Sequence, residues 1–186
     1  MEFWAKSDGE SLKEHTQKVK KRIEEIYTAI KGYYTPEKGL LRELINDHPE
    51  EFKRLLELLA QWHDLGKISF YFQSSVVHNP DFDDKKYKKF PDVPHSFLSP
   101  AFANWEKVKE FTNLAEFLGI DCKGFLKLIL TPVAFHHWRE DFVEKFLNKW
   151  EMVEEAINSI KKEEELWKEF KEEFKGKGSK KTYVLT

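Results

Sequence analysis

At 186 residues with a formal net charge of -2, the chain is long enough for one domain with a sizeable core, and it lacks a global basic field for gripping nucleic acid. Hydrophobic residues at 40%, with sixteen Phe and six Trp, exclude a mainly disordered chain. The single Cys122 excludes an internal disulfide framework, and no apolar run nears the ~18 residues of a membrane span. No signal-peptide core opens the chain, so the expected location is cytoplasmic.

Helical spacing dominates from the first elements onward. Ser11 and Glu14 form a Ser-x-x-Glu box, and Leu12, His15, Val19, Ile23, Ile26 and Ile30 follow on one face, with Gly32 as a stop. Thr35-Pro36 opens a short second helix carrying Leu40, Leu41, Leu44 and Ile45. After Asp47-His48-Pro49, a third helix with Phe52, Leu55, Leu56, Leu58, Leu59 and Trp62 is apolar over a wide arc. It is predicted to be buried and to run out at His63-Asp64, with Gly66 as terminator. Residues 74–94 lose the period and read as a long loop, a length usually associated with function or mobility.

The period returns after His95 with Phe97, Leu98, Ala101, Phe102, Trp105 and Val108. A further apolar helix, Phe125 to Phe135, contains Pro132, is predicted to kink there, and delivers His136-His137 at its end. Phe142, Phe146, Trp150, Val153 and Ile157 mark a long amphipathic helix, followed by the charged stretch 161–175. No strand alternation persists. The expected class is all-α, with one domain over residues 1–175 and a linker plus the start of a truncated final segment over 176–186.

Five of the seven His residues fall at helix ends or on apolar faces: His15, His63, His95, His136 and His137. Imidazole and carboxylate are the usual ligands of borderline divalent metals, and no Cys cluster competes. Asp64, next to His63, has two oxygens that can bridge two ions, an arrangement suited to phosphoryl displacement. Neighbouring His136 and His137 can share one ion only where the helix ends, because consecutive helical side chains diverge by ~100°. Singly, each residue has a plainer explanation: a core histidine at 15, a C-terminal helix cap at 136–137, a loop residue at 95. Four separate segments each offering a ligand at a helix boundary are harder to explain by packing.

The order His15, His63-Asp64-Leu65-Gly66-Lys67, His95-Ser96 and His136-His137 resembles the HD phosphohydrolase superfamily. More narrowly it is similar to the HD nuclease domain of the helicase-nuclease of type I CRISPR systems, through Phe72-Gln73, Pro94-His95-Ser96 and Ala134-Phe135-His136-His137. The resemblance covers about Leu12 to Arg139 and implies an HD-domain helical bundle. It implies that Asp64 bridges two ions, that His15 and His63 complete one site, and that His95, His136 and His137 complete the other. Catalysis then falls to Asp64, His63 and Lys67, the lysine contacting a scissile phosphate or orienting water. The implied cofactors are one or two divalent ions, drawn from Mn, Ni, Co, Fe, Zn or Mg.

Such a family usually supplies a final Asp from a later helix to the His15/His63 ion, and this sequence has no Asp after Asp141. Asp141 itself reads as a favourable charge at the start of the next helix. The His15/His63 site is therefore expected to bind metal weakly or to stand empty, while the Asp64/His95/His136/His137 site persists, and the final helix is expected to lie beyond Thr186. The implied substrate is single-stranded DNA, and the implied partners are a CRISPR helicase domain or subunit and the crRNA-guided surveillance complex, with no membrane. Lys85, Lys86, Lys88 and Lys89, interleaved with Tyr87 and Phe90, suit backbone contact and base stacking, or equally a solvated loop. The rival readings are a phosphohydrolase acting on nucleotides or phosphomonoesters, and a helical interaction domain with vestigial ligands.

Overall fold

The computed structural model describes residues 2–34, 37–83, 87, 92–137, 150–163 and 168. Helices and short helical turns make up its regular structure, and the described residues contain no strand beyond an isolated bridge between Trp4 and Ser11. The fold is all-α.

Helix α1 spans Leu12–Ala29 and starts at the expected capping box, where Ser11 accepts from the Glu14 amide and the Glu14 carboxylate accepts from the Ser11 amide. Its buried stripe differs from the one expected. Leu12, Thr16 and Tyr27 are buried, whereas Ile26 is half exposed. At ~100° per residue, Thr16 and Tyr27 lie to one side of Leu12 and Ile26 to the other, so the helix is rolled toward Thr16. That roll leaves His15 on the rim of the stripe. Helix α2, Leu40–Asp47, follows Gly39, whose φ of +99° favours glycine, and buries Ile45 while Leu40 and Leu41 stay exposed. Residues 35–36, expected to open this helix, lie outside the described residues.

Pro49 opens helix α3, Pro49–Trp62, at a position where its missing N–H costs nothing, and the Tyr27 hydroxyl donates to the Pro49 carbonyl at 3.0 Å. The helix is half-buried rather than enclosed, with Leu58, Ala60 and Trp62 fully inside. It ends at His63, and a tight turn, Leu65–Ile68, follows with all four residues buried.

The segment expected to be a loose loop is packed in its described parts. Phe72–Val76 and Pro80–Phe82 form short helical turns, and Phe82, Tyr87 and Val93 sit in the core. Tyr87 packs against Phe70 and Phe82, with ring centroids 4.9 and 5.3 Å apart, so it is not available to stack on a base. Lys85, Lys86, Lys88, Lys89 and Phe90 lie outside the described residues.

The fully buried Gln73 ties this region together. Its Oε1 accepts from the Trp4 amide at 2.9 Å and from Asn79 Nδ2 at 2.8 Å, while Nε2 donates to the carbonyls of Trp4 at 2.8 Å and Lys67 at 2.7 Å. Every donor and acceptor position of the amide is used. Gln73→Ala would strand the Trp4 amide and the Trp4 and Lys67 carbonyls. A loss of about 2–4 kcal/mol in chemical denaturation is expected, without a change of fold class.

Helix α4, His95–Phe102, stops earlier than the apolar spacing predicts. Ala103 turns extended, and Trp105–Phe111 continues as a tight 3-10 turn, held by the Trp105 indole donating to the Pro100 carbonyl at 2.9 Å. Phe102 and Val108 both face the core, so the spacing reads straight through the break. Helix α5 is Thr112–Phe117 and α6 is Cys122–Phe135, capped by Asp121 Oδ1 on the Gly124 amide. Pro132 stands inside α6, which runs on to Phe135. Helix α7, Trp150–Lys162, buries Val153, Ala156, Ile157 and Ile160. Helix α4 packs against the Leu65–Ile68 turn, α6 and α7, which makes it the element around which the core is assembled. Phe142, Phe146, Asp141, most of 161–175 and all of 176–186 lie outside the described residues.

Candidate metal centre

The residues singled out from the sequence meet at one buried carboxylate. Asp64 is 3% exposed and sits between the end of α3 and the Leu65–Ile68 turn. Its Oδ2 lies 3.0 Å from His15 Nε2, 3.1 Å from His63 Nε2 and 2.8 Å from Lys67 Nζ. Its Oδ1 faces the other way, 3.2 Å from His95 Nε2 and 3.4 Å from His136 Nε2. His137 joins the second side, with ring centroids 4.3 Å from His136 and 4.9 Å from His95.

Local structure explains how each side chain arrives. His63 and His136 both stand at helix C-termini and both use Nδ1 in the same way, at 2.7 Å from the carbonyls of Ala60 and Val133. A carbonyl only accepts, so Nδ1 must carry the proton and a neutral ring presents its bare Nε2 to Asp64. His136 and His137 point into one space because α6 ends there. His95 opens α4, and His15 comes from the rim of α1.

Ser99, not anticipated from the sequence, and Gly66, read there as a helix terminator, lock these segments together. Ser99 Oγ accepts from the Gly66 amide at 2.9 Å, and its one hydroxyl proton is shared between the carbonyls of His63 at 2.7 Å and His95 at 3.0 Å. A serine one helical turn after His95 is the only sequence signal for this clamp. Gly66 itself leaves no room: a Cβ there would meet the His95 carbonyl oxygen at 1.8 Å. The close approach of α4 to the turn is what brings His95 to Asp64.

The donor set fits a divalent cation. Asp64 Oδ1, His95 Nε2 and His136 Nε2 are buried and have no hydrogen-bond partner among the described residues. Bare imidazole nitrogens facing carboxylate lone pairs repel unless a proton or a cation stands between them. The ligand atoms form two groups, each within 4.8 Å: Asp64, His95, His136 and His137, and separately Asp64, His15 and His63. His48 stands apart, beside Glu51 and against Phe117.

The electrostatics favour a carboxylate at Asp64 and neutral rings at His95 and His137. Burial pushes the Asp64 carboxyl up, and where the facing rings of His136, His63 and His95 carry a proton on Nε2 they outweigh it and hold the group well below the usual range. Burial pushes His95 down, and burial together with His136 and His95 pushes His137 down to about 4. Unfolded, His137 would take up its proton near 6.5. The neutral rings therefore favour the fold above pH 6.5 and lose that contribution as pH falls toward 4. Scanning calorimetry of the metal-free protein should show the melting temperature dropping through this window, and His137→Gln should flatten the drop.

A helical bundle that gathers imidazoles on an Asp following a helix-terminal His defines a hydrolase of the HD type. The family described as Cas3, HD domain, matches residues 4–181, and the chain belongs to it. Membership places the chain in CRISPR defence, with nucleic acid as the class of substrate. No curated protein and no solved structure matches the chain. Among the described residues, no helix is long and apolar enough to cross a membrane.

Proposed function

We propose that the chain hydrolyses phosphodiester bonds of single-stranded DNA, using divalent transition-metal ions held by Asp64, His15, His63, His95, His136 and His137. The observation that carries this reading is the convergence of four imidazole Nε2 atoms and Lys67 Nζ on the single carboxylate of Asp64, in a member of a CRISPR nuclease family. Bound there, divalent ions would supply positive charge to the phosphate oxygens and acidify water.

The protein's own residues set up that chemistry. Asp64 offers one oxygen to each ligand group and fixes their spacing. Lys67 is nearly buried, its ammonium lies 5.6 Å from the centre of the Phe72 ring, and its ion pair with Asp64 keeps a positive charge where an anionic backbone would arrive. The group with four ligands takes the tighter ion, and the His15/His63/Asp64 group, with three among the described residues, the weaker one. A CRISPR helicase domain or subunit and the crRNA-guided complex would present the displaced strand, in the cytoplasm.

The test is cleavage of labelled single-stranded DNA by the purified chain with Mn, Ni, Co or Mg. Metal-dependent degradation of the polymer, with mononucleotides left intact, supports the nuclease. Preferred turnover of nucleotides or phosphomonoesters would point to the phosphohydrolase reading instead, and failure to bind any ion to a vestigial site.

A further inference from the structure

Of the two imidazoles in the weaker group, His63 is held by a backbone carbonyl and His15 by a side chain. Its Nδ1 lies 3.2 Å from Glu10 Oε2, while its Nε2 points at Asp64. Glu10 stands just before α1, in the turn closed by the Ala5 amide donating to the Glu10 carbonyl at 2.7 Å. Its side chain is only 7% exposed, yet it lies beneath two solvent-facing lysines, with Lys6 Nζ at 2.7 Å from Oε2 and Lys18 Nζ at 2.6 Å from Oε1. Both lysines donate to it, so its oxygens act as acceptors. Glu10 therefore offers an acceptor to Nδ1, and once Nε2 is given to a cation the proton of a neutral His15 sits on Nδ1 and donates to Glu10.

We propose that Glu10 is a positioning residue for the His15/His63/Asp64 cation site: its carboxylate fixes the His15 tautomer and ring orientation and so sets the affinity of that site alone. The inference rests on the reading of this group as an ion site. Glu10 reaches no other ligand of either group among its described contacts. The four-ligand group, whose His136 is oriented by the Val133 carbonyl, is independent of it.

The test is made on the metal-free chain at pH 8 and in a calorimetric Mn2+ titration. Imidazole nitrogen NMR is expected to show a share of His15 protonated at Nδ1 in the wild type that falls in Glu10→Ala, where Asp64 is left to accept its proton at Nε2. In the titration, Glu10→Ala should weaken the second ion about 10–100-fold, the range for lost outer-shell partners, and leave the first unchanged. Glu10→Gln, whose amide oxygen still accepts from Nδ1–H, should recover most of the loss and covers the case in which the alanine variant does not fold. The double variant Lys6→Ala/Lys18→Ala breaks the ion pairs but keeps the carboxylate, and should bind both ions as the wild type does.

An unchanged His15 tautomer in Glu10→Ala would overturn the inference. So would equal weakening of both ions, or a Lys6→Ala/Lys18→Ala variant as impaired as Glu10→Ala. A wild type that takes up fewer than two ions contradicts the ion-site reading instead, and the NMR comparison then decides the role of Glu10 by itself.

Discussion

Asp64→Ala is expected to bind neither ion with useful affinity and to lose metal-dependent DNA cleavage, while keeping its helical content. The two ligand groups share no other atom donor, so removing this carboxylate opens both at once. Losing a merely outer-shell partner costs about 10–100-fold in metal affinity, and a shared ligand should cost more. The same substitution relieves a crowded centre: without Asp64, Lys67 loses its partner at 2.8 Å and stands near four imidazoles that no longer face an anion. Cleavage assays with calorimetric metal titration check both expectations. Full metal-dependent activity in the variant would remove Asp64 from the chemistry.

Gly66→Ala is expected to have the largest effect on the fold for the smallest change in the side chain. The added Cβ would lie 1.8 Å from the His95 carbonyl oxygen and 2.9 Å from the Leu98 Cβ. The obstacle is backbone, so it cannot turn aside as a flexible side chain would. Helix α4 must move away from the Leu65–Ile68 turn, which breaks the Ser99 clamp on Gly66 and His63 and carries His95 off Asp64. Overpacking ordinarily costs 1–3 kcal/mol, and a rigid clash at the centre of the core should reach about 3 kcal/mol or more in denaturant unfolding. Mn2+ titration should show the four-ligand group impaired more than the His15/His63 group.

The gathering of helix-end histidines was legible in the sequence because the same local rules that end a helix also mark where a side chain can turn inward. Apolar spacing carried α3 to Trp62 and α6 to Phe135, and the histidines stood at the break. The capping box at Ser11 likewise fixed the start of α1. Periodicity could not give the roll of α1, which depends on how Thr16 and Tyr27 meet their neighbours, nor the break after Phe102, because residues on both sides of it face inward. Nor could it show how residues 74–94 are packed: the sequence reads as a long loop, and Gln73, Asn79, Phe82 and Tyr87 bind its described part into the core. Ser99 and Glu10 were invisible because each acts through segments brought together by tertiary contact.

Cations on the two faces of Asp64 would be visible by anomalous diffraction from crystals grown with Mn2+. The stronger peak is expected among Asp64 Oδ1, His95, His136 and His137, and a weaker one among Asp64 Oδ2, His15 and His63. Crystals with Mn2+ bound elsewhere, and none beside Asp64, would contradict this placement.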